Sequence, residues 1–312
     1  MASVLVVTSG RADGCPLSPV IRALAAVDIK VNKKPVGGWP AGDITFAIHH
    51  NQADADLILL LGDRYETLAA ALGATLARKP IAHIHGGETS WGSFDNQLRD
   101  AITKLSHVHF VAHEKAANRL FHRLSESRER IHIVGAPGLD NLGELRPRTP
   151  TKTFVCTYHP CTALEEDIAP LLEALDRFPD YEQIWTGVNN DPGSDTVARA
   201  LDDRPHRDLA PGKYLALCRQ AAVVVGNSSS GLIEAPSLEV PTVNVGQRQA
   251  GRVRGPSVLD AEMEVEDICR AIDEALNYTG PFDNPYKGYK TSSTIAGIIS
   301  RLDLDGLRVK RW

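Results

Sequence analysis

Long apolar runs are missing from this chain. No stretch approaches the roughly 20 residues that a membrane-spanning helix needs, and the start shows neither the basic region nor the cleavage site of an export signal. Cysteine is sparse and poorly placed for cross-linking. Cys15, Cys156, Cys161, Cys218 and Cys269 are odd in number and form no C-x-x-C pair, which argues for reduced thiols in a cytoplasmic protein. His83 and His85 share one face of a strand, a spacing that suits a metal. No cysteine or third histidine stands at a recognisable ligand distance, so no metal is expected. Positive charge is also short: the net charge of −5 argues against a nucleic-acid partner, although local arginines can hold a small anion in an acidic protein. Two nucleotide signatures are absent. The loop Thr8-Ser9-Gly10-Arg11-Ala12-Asp13-Gly14 is neither G-x-G-x-x-G nor G-x-x-x-x-G-K-[ST], which speaks against a dinucleotide dehydrogenase and excludes a P-loop.

What is present is the composition of a soluble globular protein, 43% hydrophobic and 23% charged, in 312 residues, enough for two domains with separate cores. Strand-like runs alternate with helix-like segments, the pattern of a parallel α/β architecture. In the first half, strands are read at 4–8, 57–61, 81–85, 108–111 and 131–134, with helices at 66–78 and 95–105. Residues 28–50 read as loop because of Pro35, Gly37, Gly38, Pro40 and Gly42, and 143–152 as a linker. A second alternation follows: strands at 154–158, 184–186, 222–225 and 242–245, a helix carrying Leu164, Ile168, Leu171, Leu172 and Leu175, and helices at 265–276 and 293–302. Polar residues gather just after the strands, at Gly10-Arg11, Gly62-Asp63, His85-Gly86-Gly87-Glu88, His159 and Asn227-Ser228, where doubly wound sheets bind ligands.

The richest segment runs from Val223 to Pro236. A buried strand gives way to Gly226, Asn227 and the hydroxyls of Ser228, Ser229 and Ser230, then to Gly231 and a helix carrying Glu234. A helix N-terminus attracts anions, and Glu234 lies one turn behind Ser230 on the same face. Diphosphate at the cap and ribose hydroxyls on the carboxylate make a nucleotide reading; an ordinary capped helix is the alternative. Likewise Asp63 serves either a ligand or merely the cap of the helix that follows it. His107, His109, His113 and His122 are read as surface or core residues.

Gly62-Asp63-Arg64-Tyr65-Glu66, His83-Ile84-His85-Gly86-Gly87-Glu88, Arg99-x-Ala101-Ile102-Thr103-Lys104, Gly193-Ser194-Asp195, residues 226–236 and Gly246-x-Arg248-Gln249-x-Gly251-Arg252-Val253-Arg254-Gly255 resemble the hydrolysing UDP-N-acetylglucosamine 2-epimerases of bacterial sialic-acid pathways. The resemblance implies a glycosyltransferase-B-type α/β fold of two Rossmann-like domains with the ligand in the interdomain cleft. Residues 1–148 would carry the sugar and catalytic carboxylates and 149–290 the UDP site, with 291–312 a C-terminal helix packing back on the first domain. It implies conversion of UDP-N-acetylglucosamine and water to N-acetylmannosamine and UDP, without cofactor, by a homodimer. By the same resemblance Asp63, Glu88 and Asp95 surround the sugar, and His85 and Glu88 are both candidates for the base. Arg11, His159, Asn227, Ser228, Ser229, Ser230 and Gly231 hold the UDP, Glu234 takes the ribose, and Arg248 or Arg252 reaches phosphate or sugar. A UDP-dependent glycosyltransferase, a UDP-sugar-binding protein and a non-hydrolysing epimerase stay open. The chain departs from the family in its short stretch before Asp56. It also has Gly14-Cys15-Pro16 where Tyr-Gly and a regular helix are usual, Asn96 where a second acid is common, and Asp100 where histidine is common.

Overall fold

A computed structural model describes residues 2–10, 13–50, 55–143, 148–188, 192–204, 206–207 and 209–310. The chain divides into two compact units, the first made of residues 1–88, 95–141 and 286–312, the second of 89–94 and 142–285.

The first unit runs β1 (Ser3–Thr8), α1 (Gly14–Ala26), β2 (Lys30–Pro35), α2 (Ala41–His50), β3 (Leu57–Leu61), α3 (Tyr65–Leu76), β4 (Ile81–Ile84), α4 (Asp95–Leu105), β5 (Val108–Val111), α5 (Glu114–Leu124) and β6 (Ile131–Ile133). Its strands form one parallel sheet in the order β2-β1-β3-β4-β5-β6. The pleat sorts β3 by parity. Leu57, Leu59 and Leu61 meet Leu17, Val20 and Leu24 of α1, whereas Ile58 and Leu60 meet Ile44 and Ile48 of α2, the alanines of α3 and Ile102 of α4. Full burial of each such side chain contributes about 1.5–3 kcal/mol.

In the second unit, β7 (Thr153–Thr157), α6 (Ala169–Asp176), β8 (Glu182–Thr186), α7 (Ser194–Ala200), β9 (His206–Arg207), α8 (Pro211–Gln220), β10 (Val223–Gly226), α9 (Ser230–Ile233), β11 (Thr242–Val245), β12 (Val258–Ala261) and α10 (Val265–Leu276) follow in turn. The parallel order β12-β11-β10-β7-β8-β9 is that of a Rossmann sheet, and its strand order reverses between β7 and β10. The last helix, α11 (Thr291–Ile299), belongs to the first unit and buries Ile295, Ala296 and Ile299 beside α1.

Several expectations need correction. Residues 28–50 are not a loop: they hold β2, paired along its length with β1, and α2, whose Ile44, Ala47 and Ile48 are buried. Lysines mark β2 as an exposed edge strand, so it lacks the apolar run that reveals its neighbours. Gly14-Cys15-Pro16 does not replace a regular helix but opens α1, where proline in the first turn is tolerated. The leucine-rich helix begins only at Ala169, with Pro170 in its first turn, and Leu164 is exposed. α9 is a single turn that ends before Pro236.

Candidate functional site

In the first unit the candidates lie beyond the carboxyl ends of β1, β3 and β4. After β1, Asp13 closes the loop on itself: its Oδ2 accepts the N–H of Ser9 at 2.6 Å, the Ser9 hydroxyl at 2.8 Å and the N–H of Gly10 at 3.3 Å. Burial raises the Asp13 pKa against those bonds. Arg11 lies outside the described residues.

After β3, Asp63 does not cap α3, whose N-cap is Arg64, with no side-chain capping bond. Its carboxylate instead pairs with Arg99 of α4, which is 1% exposed. The same guanidinium donates to the carbonyl of Glu88 at 2.9 Å and to Asn96 Oδ1 at 2.8 Å. Asp95 opens α4 one turn before Arg99. One buried cation thus ties together the loop after β3, the turn after β4 and the start of α4. A planar fork suits that task, since it serves several acceptors at fixed angles. Asp100 is engaged elsewhere, in a two-pronged pair with Arg119 of α5 at 2.5 and 2.7 Å.

The two histidines expected on one strand face separate: His83 lies in β4, which ends at Ile84, and His85 begins the turn after it. His83 is fully buried, and burial lowers its pKa to about 3, so its ring is neutral. Nε2 donates to the Gly62 carbonyl at 2.7 Å while Nδ1 faces the Thr103 hydroxyl at 3.3 Å, which pins the Asp63 loop to β4. His85 sits in the left-handed region at φ 64°, an uncommon place for a side chain-bearing residue. The turn then passes Gly87, at φ 80°, to Glu88, which is 2% exposed. His113 Nε2 lies 3.2 Å from Glu88 Oε1, and the Tyr286 hydroxyl reaches Oε2 at 3.5 Å.

The second unit places its candidates at the reversal between β7 and β10. Gly226 is required there: its φ is 133°, and an added Cβ would lie 2.1 Å from the Thr157 carbonyl oxygen. The next residue, Asn227, is fully buried, and its amide is spent on the backbone of His159, donating to the carbonyl and accepting the N–H, both at 2.8 Å. The Asn227 carbonyl in turn accepts Arg248 Nη1 at 3.2 Å and Gln249 Nε2 at 2.9 Å. Burial, aided by the charge of Arg248, lowers the His159 pKa to about 3; the ring offers a hydrogen bond and not a charge.

Ser228, Ser229 and Ser230 are half-buried. Ser229 stands at the N-cap of α9 without a side-chain cap bond, and it is the Ser228 hydroxyl that accepts the N–H of Ser230 at 3.4 Å. Ser230 is drawn instead towards the Tyr214 hydroxyl and to Ser228 Oγ at 3.2 Å. Gly231 is buried against Thr242. Burial raises Glu234 to about 7, while the charge of Arg252 works to lower it. Arg254 pairs with Asp260 at 2.7 Å. Sequence reasoning did not single out Asp13, Arg99, His113, Tyr214 or Tyr286. Arg99 lay inside a recognised block, but the others act through contacts made only in the fold.

The family model described as UDP-N-acetylglucosamine 2-epimerase matches residues 44–300, and the chain belongs to that family. It is 34% identical over 261 residues to the polysialic acid biosynthesis protein P7 of Escherichia coli, covering 74% of this chain and 66% of that protein. It is 32% identical over 244 residues to the GDP/UDP-N,N'-diacetylbacillosamine 2-epimerase (hydrolyzing) of Campylobacter jejuni, covering 70% of this chain and 63% of that protein. The chain therefore spans a little under two thirds of the length of these two relatives. The fold resembles the crystal structure of UDP-GlcNAc 2-epimerase from Neisseria meningitidis bound to UDP-GlcNAc, with a TM-score of 0.79 at 17% identity over 96% of this chain and 100% of that one. Among the described residues no helix is long and apolar enough to cross a membrane, and no three His, Cys, Asp or Glu side chains are grouped to hold a metal ion.

Proposed function

We propose that this protein is a hydrolysing 2-epimerase that converts UDP-N-acetylglucosamine and water to N-acetylmannosamine and UDP. The observation that carries the reading is the junction at Arg99, which gathers Asp63, the Glu88 backbone and the start of the Asp95 helix at the carboxyl ends of adjacent strands. The hydrogen on carbon 2 is not next to a carbonyl, so departure of UDP from carbon 1 must lead. That departure leaves an oxocarbenium-like centre, which carboxylates stabilise and which makes the carbon 2 hydrogen acidic. Asp63 and Asp95 face this cation, and Glu88 or His85 takes the hydrogen. Water then adds to the resulting glycal with inversion at carbon 2. Neutral His159, Arg248 or Arg252, and the Ser228–Ser230 turn receive the diphosphate, with Arg11 as a further cation; Asn227 shapes this site through His159, and Glu234 takes the ribose. The scheme uses no cofactor. A cytoplasmic homodimer supplying N-acetylmannosamine to sialic-acid synthesis completes the reading.

The name of the Campylobacter relative supports a second substrate, a UDP-linked diacetylated sugar. Proton NMR of either sugar nucleotide with the protein in deuterium oxide tests both. The expected product is a free sugar with solvent deuterium at carbon 2 and solvent oxygen at carbon 1. A product that keeps its original carbon 2 hydrogen, or an epimer still joined to UDP, overturns the reading.

A further inference from the structure

His113 is the N-cap of α5, where its Nδ1 accepts the N–H of Ala116 at 3.1 Å. A ring nitrogen that accepts carries no proton, so in the neutral ring the proton is on Nε2, 3.2 Å from Glu88 Oε1. Capping alone would be served better by Ser, Thr, Asn or Asp. What the imidazole adds is a second nitrogen on its far edge, 3.2 Å from a buried carboxylate oxygen. The surroundings hold both partners in place. An added Cβ on Gly87 would lie 2.5 Å from Leu120 and 2.6 Å from the Ala116 carbonyl, so the turn before Glu88 is seated directly on α5. Tyr286 packs edge-on to His113 with ring centroids 5.2 Å apart while its hydroxyl reaches Glu88 Oε2.

The geometry points to His113 as a positioning residue whose Nε2 stands beside Glu88 Oε1 and orients that carboxylate for the reaction. This inference rests on the proposed 2-epimerase chemistry, in which Glu88 faces the sugar. His113 itself acts only through Glu88.

The discriminating variant is His113→Ser, which keeps a capping oxygen but is too short to reach Glu88. Its UDP affinity should match that of the parent and its thermal midpoint should fall less than that of His113→Ala, while kcat falls roughly ten- to hundredfold with KM little changed. The acidic limb of the pH–rate profile should move to higher pH, because a carboxylate that loses a donor is easier to protonate. His113→Ala should show the same loss of kcat and a lower thermal midpoint, since the cap goes too. Full kcat in His113→Ser overturns the assignment. A second measurement needs no turnover: the nitrogen NMR shifts of the neutral His113 ring should place its proton on Nε2, and the Nε2 shift should change in Glu88→Gln. An unchanged Nε2 shift also overturns the pair. A parent protein that shows the linked shift but hydrolyses neither sugar nucleotide supports the pair and defeats the proposed reaction.

Discussion

The two sheets meet the same demand, holding two strand-end loops at fixed spacing, with opposite chemistry. In the first unit the loops after β3 and β4 are joined by a buried cation: Arg99 binds the Asp63 carboxylate and the Glu88 carbonyl. In the second the loops after β7 and β10 are joined by a neutral amide, Asn227, which satisfies both backbone groups of His159. Charge is costly to bury, and removing one partner strands the other. An amide closing two hydrogen bonds costs little and leaves no net field. The first unit therefore fixes the Asp63 carboxylate and the Glu88 backbone against one buried cation. The second closes its loops with an uncharged clamp and keeps its nearby cation, Arg248, on the Asn227 carbonyl outside that clamp.

The largest effects should come from breaking the charged junction. Arg99→Leu leaves Asp63 and the Glu88 carbonyl without their shared donor and should cost about 3–5 kcal/mol of stability, towards the lower end because Asp63 is 21% exposed. Urea unfolding measures it. Asp63→Asn, Glu88→Gln and Asp95→Asn should each slow hydrolysis by roughly 10²- to 10⁴-fold while leaving UDP affinity near the parent value. If all three retained full turnover, the carboxylates would have no part in the chemistry.

This contrast was only half legible in the sequence. β3 and β10 are readable because buried parallel strands are unbroken apolar runs, and α4 and α10 because their apolar faces recur at helical spacing. β2 and α2 hide behind edge lysines and the Pro-Gly punctuation at 35–42, and α5 behind a polar sequence whose buried face is only Ala116 and Leu120. The acids at strand ends were visible because chemistry-bearing loops follow strands. Their partners were not: Arg99 meets Asp63 across 36 residues, and Tyr286 meets Glu88 across 198. Asn227 shows the reverse case. Its place in the Gly-Asn-Ser-Ser-Ser run suggests ligand contact, and the fold uses its amide to hold a neighbouring loop.

Breaking the neutral clamp should be milder and different in kind. Asn227→Ala strands the N–H and carbonyl of buried His159, each costing about 1–3 kcal/mol unless water enters. The loss should be insensitive to salt, since no charge is removed, and UDP affinity should fall as the His159 loop loosens. A salt-dependent loss, or unchanged UDP binding, would erase the proposed contrast between the two frames.

The smallest effect probes Glu234, a titrating group in the second unit. Glu234 is raised from 4.5 to about 7, chiefly by burial. Between those values the folded protein holds a proton that the unfolded chain has released. Stability should therefore fall as pH rises through that window, with a slope of at most about 1.4 kcal/mol per pH unit, and level off above pH 7. Glu234→Gln, which cannot ionise, should flatten that slope. Ligand binding runs the other way. Ribose hydroxyls donate better to a carboxylate than to a carboxylic acid, so affinity should rise with pH up to about 7, by no more than tenfold per unit. Uridine is the proper probe, because it carries no phosphate that titrates in the same range. Calorimetry should show about one proton released on binding at pH 6 and almost none at pH 8. Glu234→Ala should weaken uridine at pH 8 by roughly ten- to hundredfold, the worth of a hydrogen bond to a charged acceptor, and abolish the pH dependence. A pH-independent affinity in the parent, with the same affinity in Glu234→Ala, would take this carboxylate out of the ribose site.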